Sequence, residues 1–296
     1  MTQRTILITG ASGQVGGEAL RLLADNPDLV VKGAVRSDAQ ADAVRRAGAE
    51  PVFLDYDDPA TIAPAMDGLN GLLLISGYTV DMLKHAKRAI DAAVKAGVDH
   101  IVQVGASGAD TAEIAHWGWH RMIQSYIMEV GARHGIRHTF LRPESYMQNL
   151  VNFGWLGEDS VVNLIGEARW SWVDARDVGA MAAAALADPD TFHGQVIRMG
   201  YDAATMAEVA AMAGKRTGHT VTLAPLDPGV FYEGAVANGA DPFYMACVRD
   251  QFRLNAQDAI PEADRTFDAD AFRAATRRAP YMLDDYLSDI VIAKAA

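Results

Sequence analysis

The chain has 296 residues, half of them apolar and 22% charged, which excludes a disordered or fibrous polymer and leaves room for one large domain or two modest ones. A formal net charge of −12 argues against a general nucleic-acid surface, because phosphate binding needs a basic field. The single cysteine, Cys247, excludes an internal disulfide, and no Cys/His cluster has zinc spacing, so no metal is expected.

Met1 to Arg4 lead straight into a strand-like segment with no signal-peptide pattern, and the longest apolar stretch, Val178 to Leu186, is too short to span a bilayer. A cytoplasmic protein without membrane contact is expected. Thr5 to Thr9 is a continuous apolar run, as a strand buried on both faces requires. Leu29–Val35, Pro51–Leu54, Gly71–Ser76, His100–Val104 and Arg137–Leu141 read the same way. Helical stretches separate them. The clearest is Val80 to Ala96, with apolar Met82, Leu83, Ala86, Ile90, Ala93 and Val94 and a stop at Gly97. Strand and helix alternating in this way predict an α/β fold: a doubly wound parallel sheet with helices on both faces.

After Pro143 the rhythm breaks. Glu144 to Arg169 mixes apolar, polar and glycine residues as a lid or loop-rich insertion would. Asp174 to Ala187 reads as a helix, and Gln195 to Met199 as a strand that rejoins the first domain. Beyond residue 200 the chain reads as mostly helical, with one strand expected at Thr220 to Leu223. The expected division is a first domain of residues 1–150 plus 174–200, and a smaller, mostly helical substrate lobe of residues 151–173 plus 201–296.

Thr9-Gly10-Ala11-Ser12-Gly13-Gln14-Val15-Gly16-Gly17 follows a buried strand and opens a helix, the context in which a glycine-rich loop binds a dinucleotide. One glycine permits the tight turn, one the approach of backbone to a pyrophosphate, and one close helix–strand packing. The helix N-terminus then offers N–H groups and a positive dipole end to phosphates. A tight turn without a ligand is the alternative. Gly10, Ser12, Gly13, Gln14 and Val15 are the candidate phosphate-binding residues. The second strand ends in Arg36 where an NAD site usually has a carboxylate, and a guanidinium suits the 2′-phosphate of NADP(H). Asp55 and Tyr56 follow the third strand, where an adenine edge would lie, and Asp58-Pro59 resembles a helix cap. Ser76-Gly77 ends the fourth strand and Gly105-Ala106-Ser107 the fifth, and small residues there permit close approach of a ribose or nicotinamide.

The glycine spacing Gly10-x-x-Gly13-x-x-Gly16, Arg36, Asp55, the run Phe140-Leu141-Arg142-Pro143-Glu144-Ser145-Tyr146-Met147-Gln148-Asn149 and Val173-Asp174-Ala175-Arg176-Asp177-Val178-Gly179 together resemble the NmrA-like proteins. These are an atypical branch of the short-chain dehydrogenase/reductase superfamily. The resemblance runs from the glycine loop to Arg278-Ala279-Pro280, strong over the first 180 residues and weak in the C-terminal lobe. It implies an NADP-binding Rossmann domain with a small substrate lobe, and adds Pro143 to the cofactor-binding set. Members include quinone reductases, triphenylmethane dye reductases and nucleotide-sensing regulators without established catalysis.

Better-known members of that superfamily use a Tyr-x-x-x-Lys pair on the helix after the fifth strand, but no tyrosine of this chain has lysine four residues later. The corresponding helix instead carries His116-Trp117-Gly118-Trp119-His120, with two histidines one turn apart, and Glu129 is the alternative match to a family acid. Histidine is a credible proton donor near neutral pH, so His120 and, just past the sixth strand, Tyr146 are the candidate catalytic residues, with water as the third source. Ser107 could hydrogen-bond a carbonyl oxygen or cap its loop. Aromatics and methionines such as Phe153, Trp155, Trp170, Trp172, Phe231 and Met245 suit an apolar, aromatic substrate collectively, although each alone could be core. The expected function is NADPH-dependent hydride transfer to a quinone, a carbonyl or a conjugated dye by a monomer or homodimer. A non-catalytic NADP(H) sensor and an isomerase are the alternatives.

Overall fold

The computed structural model describes residues 3–108, 113–257 and 267–295. Its chain divides into two compact units, one of residues 1–106, 117–142 and 176–198, the other of residues 107–116, 143–175 and 199–296. Residues 107–116 and 143–150, which the sequence pattern groups with the strands before them, fall in the second unit.

Each predicted strand of the first domain forms. They are β1 (Arg4–Ile8), β2 (Leu29–Val35), β3 (Glu50–Phe53), β4 (Gly71–Ile75), β5 (His100–Val104), β6 (Arg137–Pro143) and, after the break, β10 (Val196–Met199). The sheet order puts that last strand beside β6, then β5, β4, β1, β2 and β3. β1 pairs in parallel with β2 through Ile6 and Val31 and with β4 through Ile6 and Gly71. The winding therefore departs from β1 in two directions, and the crevice above β1 and β4 is where ligands of open α/β sheets bind. Ile6, Leu7, Ile8, Leu72, Leu73 and Leu74 are all 0% exposed, as a sheet covered on both faces requires.

Local chemistry sets the helix ends. α1 (Gln14–Ala24) starts after the glycine loop, and α2 (Asp38–Arg46) starts at Ser37, whose side chain accepts from the Gln40 N–H. Asp58 caps α3 (Pro59–Met66) as expected, and α4 (Met82–Ala96) stops at Gly97, which has φ of +78°. α5 (Ala115–His134) follows β5, and α7 (Ala175–Ala187) lies against α1: a Cβ on Gly179 would come within 2.8 Å of the Val15 carbonyl oxygen. At the amino ends of the strands, Asp99 accepts from both Arg4 and Arg137, at 2.8 and 3.0 Å. Those two bonds fasten β1 and β6 to the turn that enters β5.

The second unit carries more strand than the pattern after Pro143 predicts. β7 (Ser145–Tyr146), β9 (Trp170–Val173) and β11 (Asp202–Ala204) form one small sheet, with β9 central. β8 (Ser160–Asn163) pairs in parallel with β12 (Thr222–Pro225). Helix α6 (Asn149–Asn152) also lies in the expected loop. These segments are too short to show a period, so local pattern alone could not separate them from loops. Among the described residues no helix is long and apolar enough to cross a membrane.

Candidate functional site

The glycine loop turns as its sequence requires. Gly10 has φ of +64°, which a side chain rarely adopts. A Cβ on Gly16 would sit 2.3 Å from the Gly10 carbonyl oxygen, so only glycine lets the helix start this close to the strand end. At Gly13, which precedes α1, no side chain caps the helix, which leaves its first-turn N–H groups without a side-chain acceptor.

Beside this loop lies a cavity of about 300 Å³ in the first unit. Of the residues proposed from sequence, Gly10, Ser12, Arg36, Asp55, Tyr56, Ser76 and Gly77 line it. Gly13, Gln14 and Val15 form the adjoining helix start without lining the cavity. The Arg36 side chain is exposed, and among the described residues no carboxylate pairs with it. Its backbone N–H donates to Gln40 Oε1 at 2.7 Å, and Gln40 Nε2 donates to Ser12 Oγ at 3.2 Å. Gln40 thus links the glycine loop to the end of β2. The signal for it was present as a Ser37-x-x-Gln40 capping pattern, but here the glutamine reaches one residue further back. Asp55 Oδ1 accepts from the Asp57 N–H, so its carboxylate shapes the turn as well as facing the cavity.

Tyr56 stacks on His85 with ring centroids 5.7 Å apart, and burial pushes its hydroxyl up to about 12. His85 Nε2 lies 3.0 Å from Asp57 Oδ1, and this histidine is part of the cavity wall. Asp57, Asp81 and His85 also bring metal-ligand atoms within 4.8 Å of one another, but Asp57 is already bonded to His85 and Asp81 to Lys84. Ser76 Oγ is buried without a hydrogen-bond partner. An orphaned hydroxyl in a cavity wall costs free energy unless a ligand satisfies it. Uncapped helix N–H groups, an uncommitted guanidinium and this hydroxyl fit a phosphorylated nucleotide.

Gly105 and Ala106 follow β5 but do not line the cavity. The space above Gly105 is taken by protein: a Cβ there would meet Gln124 Nε2 at 2.8 Å and Gln103 Oε1 at 3.1 Å. Its small size therefore serves internal packing, and not the ligand approach expected from sequence. His120 is 2% exposed and has both ring nitrogens engaged, Nε2 with Tyr78 Oη at 2.9 Å and Nδ1 with Gln103 Nε2 at 3.0 Å. Glu129 is exposed and pairs with Arg133, which removes it from any buried acid role.

Pro143 and Tyr146 belong to the second unit. Burial is the main force raising the Tyr146 hydroxyl, with Tyr244 a lesser one, so Tyr146 stays protonated at neutral pH. Ser107 is also buried there, its N–H donating to the Pro143 carbonyl oxygen at 2.8 Å. His116 meets Tyr244 edge-on at 6.0 Å, and burial lowers its pKa to about 4. The aromatics expected to face a substrate mostly face one another. Trp155 stacks on Trp170 at 6.0 Å, Trp170 meets Trp172 at 5.3 Å, and Phe252 contacts Trp155, Trp170 and Phe231. Trp155, Trp170, Trp172, Met147 and Met245 are buried core. Large apolar residues are what both a core and a pocket need, so composition could not separate the two.

The NmrA-like family profile matches residues 2–265. The NAD(P)H azoreductase of Xenophilus azovorans is 30% identical over 221 residues, 73% of this chain and 75% of that protein. Among solved structures, the NADPH-dependent quinone oxidoreductase of Escherichia coli in complex with NADPH superposes with a TM-score of 0.80 at 24% identity, covering 96% of this chain and 99% of that one. NmrA, a negative transcriptional regulator solved with NADP, superposes with a TM-score of 0.76 at 14% identity, covering 99% of this chain and 97% of that one. Glycine loop, sheet order and family profile agree: the chain belongs to the NmrA-like family.

Proposed function

We propose that this protein is an NADPH-dependent oxidoreductase that reduces an apolar, conjugated acceptor such as a quinone, an azo or triphenylmethane dye, or an aryl ketone or aldehyde. The observation that carries the reading is the cavity beside the glycine loop, where an uncapped helix N-terminus, Arg36 and the orphaned Ser76 hydroxyl meet. The azoreductase and quinone oxidoreductase relatives support the choice of acceptor.

NADPH, when bound, supplies the hydride. The chain's own residues bind and orient. The first-turn N–H groups of α1 at Gln14 and Val15 would hold the pyrophosphate, the Gly13 N–H being bonded to the Gly10 carbonyl oxygen at 2.9 Å, and Gly10 and Gly16 keep side chains out of its path. Arg36, with Ser12 and Gln40 beside it, takes the 2′-phosphate, since a guanidinium bonds a phosphate bidentately. Asp55 and Tyr56 would wall the adenosine end, and Ser76 and Gly77, which line the same cavity, would lie toward the nicotinamide end. Positioning and exclusion of water are the main catalytic contributions. A quinone's reduced oxyanion is a weak base that water can protonate. A carbonyl acceptor needs a proton donor, for which the Tyr146 hydroxyl and water are the candidates, since both ring nitrogens of His120 are engaged.

The test follows NADPH absorbance with a panel of quinones, azo and triphenylmethane dyes, aryl ketones and aldehydes, alongside calorimetric binding of NADPH and NADH. Oxidation of NADPH by at least one acceptor class, with NADPH bound more tightly than NADH, is expected. The second reading is a sensor that binds NADP(H) without turnover, favoured by the missing Tyr-x-x-x-Lys pair. Micromolar NADPH binding with no oxidation by any acceptor would replace the first reading with the second.

A further inference from the structure

Five side chains of the first unit, from β5, β6, α5 and the loop after β4, form an unbroken hydrogen-bonded chain. Its direction can be read from the end that only donates. Arg142 Nε and Nη2 lie 3.1 and 2.6 Å from Gln124 Oε1. With its oxygen committed to a guanidinium, Gln124 donates from Nε2 to Gln103 Oε1 at 3.0 Å. Gln103 is oriented a second time, because its Nε2 lies 2.8 Å from the carbonyl oxygen of Val104, an atom that only accepts. The other N–H of that amide donates to His120 Nδ1 at 3.0 Å. A ring nitrogen that accepts carries no proton, so the neutral imidazole carries its proton on Nε2, 2.9 Å from Tyr78 Oη.

Burial makes the direction binding. Gln103, Gln124 and His120 are 0%, 1% and 2% exposed, so reversing any amide would strand buried donors against donors without water to relieve them. Gly105 leaves the room the two amides occupy. At the far end, Tyr78 sits between Gly77 and Thr79, both of which line the cavity.

We propose that Arg142, Gln124 and Gln103 are positioning residues that hold His120 as its Nε2–H tautomer. His120 is thereby a fixed hydrogen-bond donor to the Tyr78 oxygen, and not the group that gives a proton to substrate. A charge-bearing imidazolium would need its second proton on Nδ1, where it would face the Gln103 amide hydrogens. The Tyr78 hydroxyl, its oxygen already supplied with an N–H, directs its own hydrogen away from His120. The catalytic consequence rests on the oxidoreductase reading, whereas the tautomer does not.

Two measurements separate these. In cofactor-free protein with ¹⁵N-labelled histidine, the His120 signals are assigned by their loss in His120→Gln. The expected pair is a pyridine-like Nδ1 and a pyrrole-like Nε2. Gln103→Glu puts an acceptor against Nδ1 and should turn Nδ1 pyrrole-like. A wild-type spectrum with the proton on Nδ1, or a folded Gln103→Glu protein with unchanged His120 signals, overturns the proposal. If Gln103→Glu does not fold, the wild-type spectrum decides alone. For turnover of a carbonyl acceptor, His120→Gln keeps an amide N–H for Tyr78 and should run at least about tenfold faster than His120→Leu. A general acid contributes about 10²–10⁴-fold, so equal loss of that order in both variants would make His120 the donor and overturn the positioning role. Absence of turnover with the expected spectrum would remove the oxidoreductase reading and leave the tautomer standing.

Discussion

In the first unit the largest share of one core cluster is aliphatic: Leu7 of β1 and Leu72 and Leu74 of β4 pack with Ile62, Met66, Ile90, Ile101 and Ile127 of the flanking elements and with Phe140. In the second unit the core is aromatic: Trp155, Trp170 and Phe252 meet one another and Trp170 also meets Trp172, among smaller residues such as Val161, Ile165 and Val209. The two cores are specified differently. A parallel sheet repeats one apolar run many times, and repetition makes its core readable. Short strands around a few large rings leave no period, so the same rings pass in sequence for the wall of a substrate pocket.

The sharpest way to break that contrast is to remove a ring. Trp172→Ala should destabilise the protein by about 3–5 kcal/mol, read from urea unfolding, while NADPH affinity of the folded variant stays within about twofold. A large loss of acceptor turnover with little change in stability would return Trp172 to the pocket wall. A second comparison sets His100 in the first unit against His116 in the second. Burial is the leading cause that lowers each to about 4. Between pH 6.5 and about 4 the unfolded chain binds more protons than the folded one, so stability is present at neutral pH and lost on acidification, by about 1.4 kcal/mol per pH unit for each histidine. His100→Gln, which can keep the bond to Thr139 Oγ1, should flatten the Tm profile between pH 4 and 6.5 by one histidine's share.

Smaller in energy is the cofactor preference. Arg36→Asp removes a charge-assisted phosphate contact and adds repulsion, so calorimetry should show NADPH binding weakened by about 1.5–3 kcal/mol and NADH binding little changed or improved. Equal affinities for both cofactors in the unaltered protein would contradict the role given to Arg36. The smallest effect belongs to Glu129→Ala, which breaks an exposed ion pair and should move stability by less than about 1 kcal/mol and turnover not at all.

Much of the first unit was legible. The bounds predicted for β2 and β5 match, and β1 and β3 shift by one residue, because buried apolar runs end where glycine, aspartate or arginine begins. Gly10, Ser12, Arg36, Asp55 and Tyr56, singled out by local spacing, line one cavity. Gln40, Gln103 and Gln124 were missed, since each acts on a partner brought near by the fold. Gln103 did leave a sign: a glutamine inside the apolar run Ile101-Val102-Gln103-Val104 is buried on both faces and must find polar partners.

Asp99 fastens Arg4 and Arg137 at the amino ends of the strands, while the glycine loop and its cavity lie at the carboxyl ends. The five residues of β1 separate the two by about 17 Å. That separation suits attachment to a solid support or an electrode. A tether held at Arg4 would pull on the fastened end of the sheet, away from the glycine loop and its cavity.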